Sequence, residues 1–227
     1  MLTEPEEDAE RLALDRAVAN AVRARLAAGA RPRPDAEAIA LRQTLAGEPP
    51  AGSAVLRAVL GRIDAISGAP LVVWGSASQT LAADRYGLSA RTAADPDQAL
   101  AVVRDGARAL MDLTSAFGWW GRLLAEPSLR VVAALPDDRH GVPRALMVQK
   151  AEPGPTGDDR TFWTTDSAAP AAAIVEALAA SGLAASPVIA AGGLKLFMLA
   201  GYVQAEDGRL ASAPGGLSGV IGAAPLF

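Results

Sequence analysis

No cysteine occurs among the 227 residues, and histidine occurs once. The first absence excludes a disulfide scaffold and thiolate chemistry, and the second leaves little for a metal site or a Ser-His pair. Basic charge is not in excess either: a net charge of -4 and a pI of about 5.1 argue against a broad phosphate-binding surface. No apolar run is long enough to span a bilayer. The segment Thr3 to Asp8 is acidic, which suits neither a signal peptide nor a transit peptide. These absences lead us to expect a cytoplasmic protein without cofactor, metal, nucleic acid or membrane partner. What the chain does have is apolar residues, 51% of the total, enough to bury a core in one large domain or two to three small ones.

The character of the sequence changes at Leu71 to Gly75, a short apolar run closed by a glycine turn. Before it, apolar positions recur at helical spacing: Leu12, Leu14, Val18, Val22 and Leu26 in a first helix, and Ile39, Leu41 and Leu45 in a second that Asp35 would cap. A third helix, capped by Ser53, buries Val55, Leu56, Val59, Leu60, Ile63 and Ile66. After Leu71 strands and helices alternate, as in a parallel α/β unit. Strands are expected at 71–74, 90–93, 107–113, 129–135 and 145–149, with helices at 80–86, from Pro96, and over 114–124. The lone His140 falls in a polar loop over 136–143, exposed to solvent. Beyond a loop at 152–159 the order is strand, helix, strand, strand, short helix, strand. This predicts a ferredoxin-like βαββ(α)β unit with a sheet of its own.

The order long helix, proline-bearing loop, helix, third helix resembles the all-helical (AroQ-type) chorismate mutases, most closely over Arg33 to Arg42. The resemblance implies that Glu37 takes the place of the family's active-site glutamate. It also puts Arg11 and Arg23 near the two first-helix cations that grip the substrate's carboxylates and ether oxygen, and Ser67 at the family's serine. Ala36 stands where the family has an arginine, and the third helix stops at Gly68 before the expected glutamine. Read from the residues alone, Arg11, Arg23 and Arg25 are a solvated helix face, and Glu37 is a helix-dipole partner in the first turn.

From Leu71 onward the chain resembles a shortened prephenate dehydratase: one lobe of its periplasmic-binding-protein-like domain, then an ACT-like tail. The residues concerned are Trp74 to Ala77, Asp105 to Leu113 and Asp158 to Phe162, where Arg160-Thr161-Phe162 replaces the family's Thr-Arg-Phe. In the dehydratases that threonine serves the elimination, so no dehydratase activity is expected here. Ser76, Ser78, Thr114 and Ser115 fall at the carboxyl ends of neighbouring strands, where they could cap helices or line a carboxylate pocket. Trp119 and Trp120 read as core or interface aromatics.

The expected fold class is therefore α+β and multidomain, with a helical chorismate-mutase-like domain over 1–69, an α/β lobe over 70–152 and an ACT-like unit over 158–227. The expected function is rearrangement of chorismate to prephenate in aromatic amino-acid biosynthesis, with weakened activity. A catalytically inactive relative that senses an aromatic amino acid or carboxylate is the alternative. A homodimer joined through the helices is also expected, because under seventy residues of helix bury little core alone and the family shares its helical sites between subunits.

Overall fold

The first helix opens on Asp8, whose carboxylate accepts the backbone N–H groups of Glu10 and Arg11 at 3.0 and 3.3 Å. A computed structural model describes residues 8–27, 34–46, 50–87, 90–113, 117–139 and 141–227, with the side chains of residues 50, 51 and 67 left aside. Helix α1 runs Ala9–Ala27, α2 Pro34–Leu45 and α3 Pro50–Ser67. Both later helices start earlier than the capping residues suggested. Proline sits at the first helical position of each, where its missing N–H costs nothing and its fixed φ suits the turn.

Strand β1 (Leu71–Trp74), α4 (Ser76–Tyr86), β2 (Arg91–Thr92), α5 (Pro96–Arg104) and β3 (Arg108–Asp112) follow as two successive crossovers. β1 lies between β2 and β3, parallel to both. Because side chains alternate across a strand, β1 faces two layers. Val72 and Trp74 pack with Ala99, Leu100 and Val103 of α5, whereas Leu71 and Val73 pack with Ala82 and Tyr86 of α4. In place of the helix expected over 114–124 there is a short 3-10 helix, Trp119–Leu124. Gly118, just before it, and Gly121 within it lie against a later part of the chain: an added Cβ on Gly118 would stand 2.6 Å from the Ala191 carbonyl oxygen, and one on Gly121 2.1 Å from Leu194 Cδ1.

The remaining elements are β4 (Leu129–Leu135), β5 (Ala145–Lys150), β6 (Asp159–Thr165), α6 (Ala171–Ala180), β7 (Ala185–Ala191), β8 (Leu194–Ala200) and β9 (Ser218–Pro225). β6 to β9 do not form a sheet of their own. All strands belong to one mixed sheet of nine in the order β2-β1-β3-β5-β4-β9-β6-β8-β7. The joint is a parallel contact between β4 and β9 with Val131 opposite Gly222. The molecule is thus mixed α/β, and no described helix is long and apolar enough to cross a membrane.

The helical segment packs on this sheet's own helices. Gly61 of α3 comes so near α4 that a Cβ there would meet the Arg85 carbonyl oxygen at 2.1 Å. Asp137, beyond β4, ties the two helices by accepting from Arg57 at 2.7 Å and pairing with Arg85 at 3.6 Å. Arg42 fastens α2 to the far part of the chain. Its guanidinium donates to the carbonyls of Thr156, Asp158 and Leu226 at 2.5, 3.0 and 3.1 Å and stands over the Phe227 ring.

Candidate functional site

Between α1, α2, α3 and the α4 side of the sheet lies a cavity of about 720 Å³, within the size range of small-molecule sites. Its walls are largely apolar, with Leu41, Leu60, Val132, Met147 and Phe227 among them. Three charged side chains from three helices meet on the helical side. Arg25 of α1, 16% exposed, pairs with Glu37 of α2 at 3.2 Å and with Asp64 of α3 at 3.2 Å. Each helix therefore brings one member of an acid-base-acid cluster, and the arginine fork is shared between two carboxylates.

On the sheet side β3 supplies Arg108, 6% exposed, although the rest of β3 is apolar up to Asp112. Its Nη2 donates to the Asp64 carbonyl at 2.9 Å, and its guanidinium lies over the Tyr86 ring at 5.4 Å. Burial raises the Tyr86 phenol above its ordinary value, opposed by the nearby Arg85 and Arg108 charges, so the ring presents a neutral face. Gln149 of β5 stands directly across from Arg108 in the antiparallel register.

Of the residues expected to carry chemistry, Glu37 lines this cavity and Arg11 and Arg23 do not. Arg11 is exposed and lies 3.9 Å from Asp15; Arg23 is exposed and donates to Asn20 Oδ1 at 3.3 Å. The first-helix cation in the cavity is Arg25, which the residues alone had placed on a solvated face. Two residues along a helix are about 200° of rotation, so a shift of two in register moves the charge from solvent to cavity. Arg108 was missed as well. The signal available was a single charged residue at the head of the buried run Arg108–Asp112.

Ser76 and Ser78 do sit at the start of α4, at the opposite end of β1 from the cavity. Gly75 caps that helix without a side chain, and the carboxylate of Asp112 accepts the Ala77 N–H at 3.0 Å. Asp112 thus supplies, from within the chain, an anionic acceptor at the start of α4. Ser76 is exposed, and the hydroxyl of the fully buried Ser78 has no partner among the described residues. Thr114, Ser115 and His140, and the side chain of Ser67, lie outside the described residues. Among those described, no cluster of three His, Cys, Asp or Glu could hold a metal ion.

No family model matches the sequence, and it matches no curated protein. Among solved structures, a chain described as GqqA, a novel type of quorum quenching acylase, is 17% identical with a TM-score of 0.46, over 69% of this chain and 95% of that one. A likeness so distant leaves the function to be argued from the cavity itself.

Proposed function

We propose that the chain is a chorismate mutase-like protein of aromatic amino-acid biosynthesis, rearranging chorismate to prephenate slowly in the cavity beneath α1 to α3. The observation that carries this reading is Glu37: chosen from the sequence, it lines the cavity with its carboxylate 3.2 Å from a first-helix arginine. The rearrangement is intramolecular, so the protein need only hold a compact conformer and stabilise charge on the breaking ether oxygen. An isolated carboxylate would repel a dianionic substrate. Paired with Arg25, Glu37 is neutralised and oriented, and Arg25 is the cation placed to meet the developing charge.

Turnover is expected to be slow because Arg25 is shared with Asp64. Elimination from prephenate to phenylpyruvate is not part of the proposal. The Thr161 hydroxyl is fully buried, donating to the Gly201 carbonyl and accepting from the Val203 N–H, both at 2.8 Å. The strand order β9-β6-β8-β7, antiparallel throughout, supports a ferredoxin-like, ACT-like arrangement for the last part of the chain.

A chorismate-consumption assay tests the isomerase reading. Arg25→Ala is expected to slow turnover about 100-fold, the consequence of losing roughly 3 kcal/mol of charge stabilisation. Glu37→Gln should also lower it, and no phenylpyruvate should form. Turnover unchanged in both variants rules out this site. The shared fork of Arg25 favours a second reading, a non-catalytic binder of an aromatic or carboxylate metabolite. Binding of chorismate or phenylalanine by calorimetry, without turnover, selects it.

Dimerisation through the helices belongs to the same proposal. Leu26, Ile39, Val55 and Ile66, all on α1 to α3, are large apolar side chains left exposed. A dimer is expected by light scattering at micromolar concentration, and a monomer there removes this part of the reading.

A further inference from the structure

We propose that Arg108 and Gln149, facing each other across β3 and β5 on the sheet wall of the cavity, form a binding site for the carboxylate of a small acid with an apolar, ring-sized body. The inference rests on the cavity being a ligand site, as proposed above, and not on any turnover within it.

The argument begins with charge. A guanidinium removed from water needs a counter-ion or a full set of acceptors, since burying an ion without compensation costs several kcal/mol. Arg25, in the same cavity, has two carboxylates. Arg108 is more deeply buried and has no carboxylate within ion-pair distance among the described residues. Among the described residues the one acceptor it reaches is the Asp64 carbonyl, through Nη2, and its Nε has no partner. The aromatic face of Tyr86 eases the cation's desolvation without neutralising it. Arg108 is thus a built-in positive charge beside Val132 and Met147 on the sheet wall. An anion entering the cavity completes it.

Gln149 gives the site its second donor. Residues directly opposite in an antiparallel pair have Cβ atoms about 5 Å apart, close enough for both side chains to grip one small group. Gln149 is half-buried, lines the cavity, and makes no side-chain hydrogen bond among the described residues. A planar guanidinium beside a carboxamide N–H₂ suits the two oxygens of a carboxylate. The remaining volume, walled by Leu60, Val132, Met147 and Phe227, suits an apolar body.

The test uses 3-phenylpropionate as the probe and 3-phenylpropanol as its neutral counterpart, with binding read by calorimetry on the full chain. The acid is expected to bind about tenfold more tightly than the alcohol, the ratio that about 1.4 kcal/mol produces. Arg108→Met, which keeps the stem and removes the charge, should abolish that preference, and Arg108→Lys should restore part of it. Gln149→Leu should weaken the acid severalfold and leave the alcohol unaffected. The unliganded melting temperature of Arg108→Met should equal or exceed that of the wild type, because the lost charge had no counter-ion; a purely structural arginine would lower it. If Arg108→Met does not fold, Gln149→Leu and Arg108→Lys carry the test.

No binding of the acid to the wild type, or equal preference in wild type and Arg108→Met, overturns the inference. The probe cannot rearrange, so the two proposals separate. Chorismate turnover without probe binding removes this one alone, and Arg108-dependent binding without turnover removes the isomerase alone.

Discussion

Replacing Gly222 by alanine is expected to destabilise the protein by about 3–5 kcal/mol. Gly222 has φ +140°, and a Cβ built on it would lie 2.3 Å from the Val131 carbonyl oxygen and 2.4 Å from the Val131 nitrogen. Those are backbone atoms of the neighbouring strand, so no side-chain rotation relieves the clash. The contact also lies at the parallel joint between β4 and β9, and parting the two strands there divides the nine-stranded sheet. Gly106→Ala is the matched control. Gly106 has φ +95° with nothing within 4 Å of its added Cβ, so it isolates the backbone strain, on the order of 1 kcal/mol. Urea melts of both variants decide the matter; equal losses would mean that the joint tolerates separation.

The second large effect is expected at Trp120. Its side chain is fully buried beside Trp119, with ring centroids 6.1 Å apart and planes at 76°. Trp120→Ala should cost about 3–5 kcal/mol from lost burial and the cavity left behind. The two tryptophans differ in a way that phenylalanine exposes. Trp119 Nε1 donates to the Asp112 carbonyl at 2.9 Å, whereas Trp120 Nε1 has no acceptor among the described residues. Trp119→Phe takes away the donor to the Asp112 carbonyl; Trp120→Phe removes a buried N–H that had no partner among the described residues. Trp120→Phe should therefore be the milder of the pair by about 1 kcal/mol in the same urea assay. The reverse order would show that ring size, not hydrogen bonding, governs this segment.

The contrast between these two sites and the elements around them shows what the sequence made legible. The strand at Leu71 to Trp74 and the helix begun by Pro96 are local features, set by periodicity and by Asp95 accepting the Gln98 N–H at 2.7 Å. They were readable because every determinant lies within a few residues. The separate last sheet was misjudged, because whether β9 pairs only with β6 or also with β4 depends on a glycine meeting a valine ninety residues away. Nothing near Gly222 in the sequence announces that partner. Glu37 was singled out through a motif and lines the cavity, whereas the arginine it pairs with was not singled out. Arg23 and Arg25 are both arginines on one helix, and only packing against α2 and α3 decides which turns inward. At the start of α4 the Ala77 N–H is satisfied by Asp112, thirty-five positions away in the chain, a pairing that no local pattern announces.

The place of β9 bears on how the molecule is made. It is the last of the nine strands in chain order and yet lies sixth in the sheet, between β4 and β6. Until it has been synthesised, β4 and β6 each present a bare row of backbone donors and acceptors, and the two groups of strands have no shared ladder. Phe227, which follows it, and Leu226, which holds Arg42, arrive later still. A nascent chain can thus form α1 to α5 and two partial sheets, but it cannot close the cavity. Closure waits for a contact between distant parts of the chain, the slowest kind to form and the one most exposed to mispairing with a second molecule.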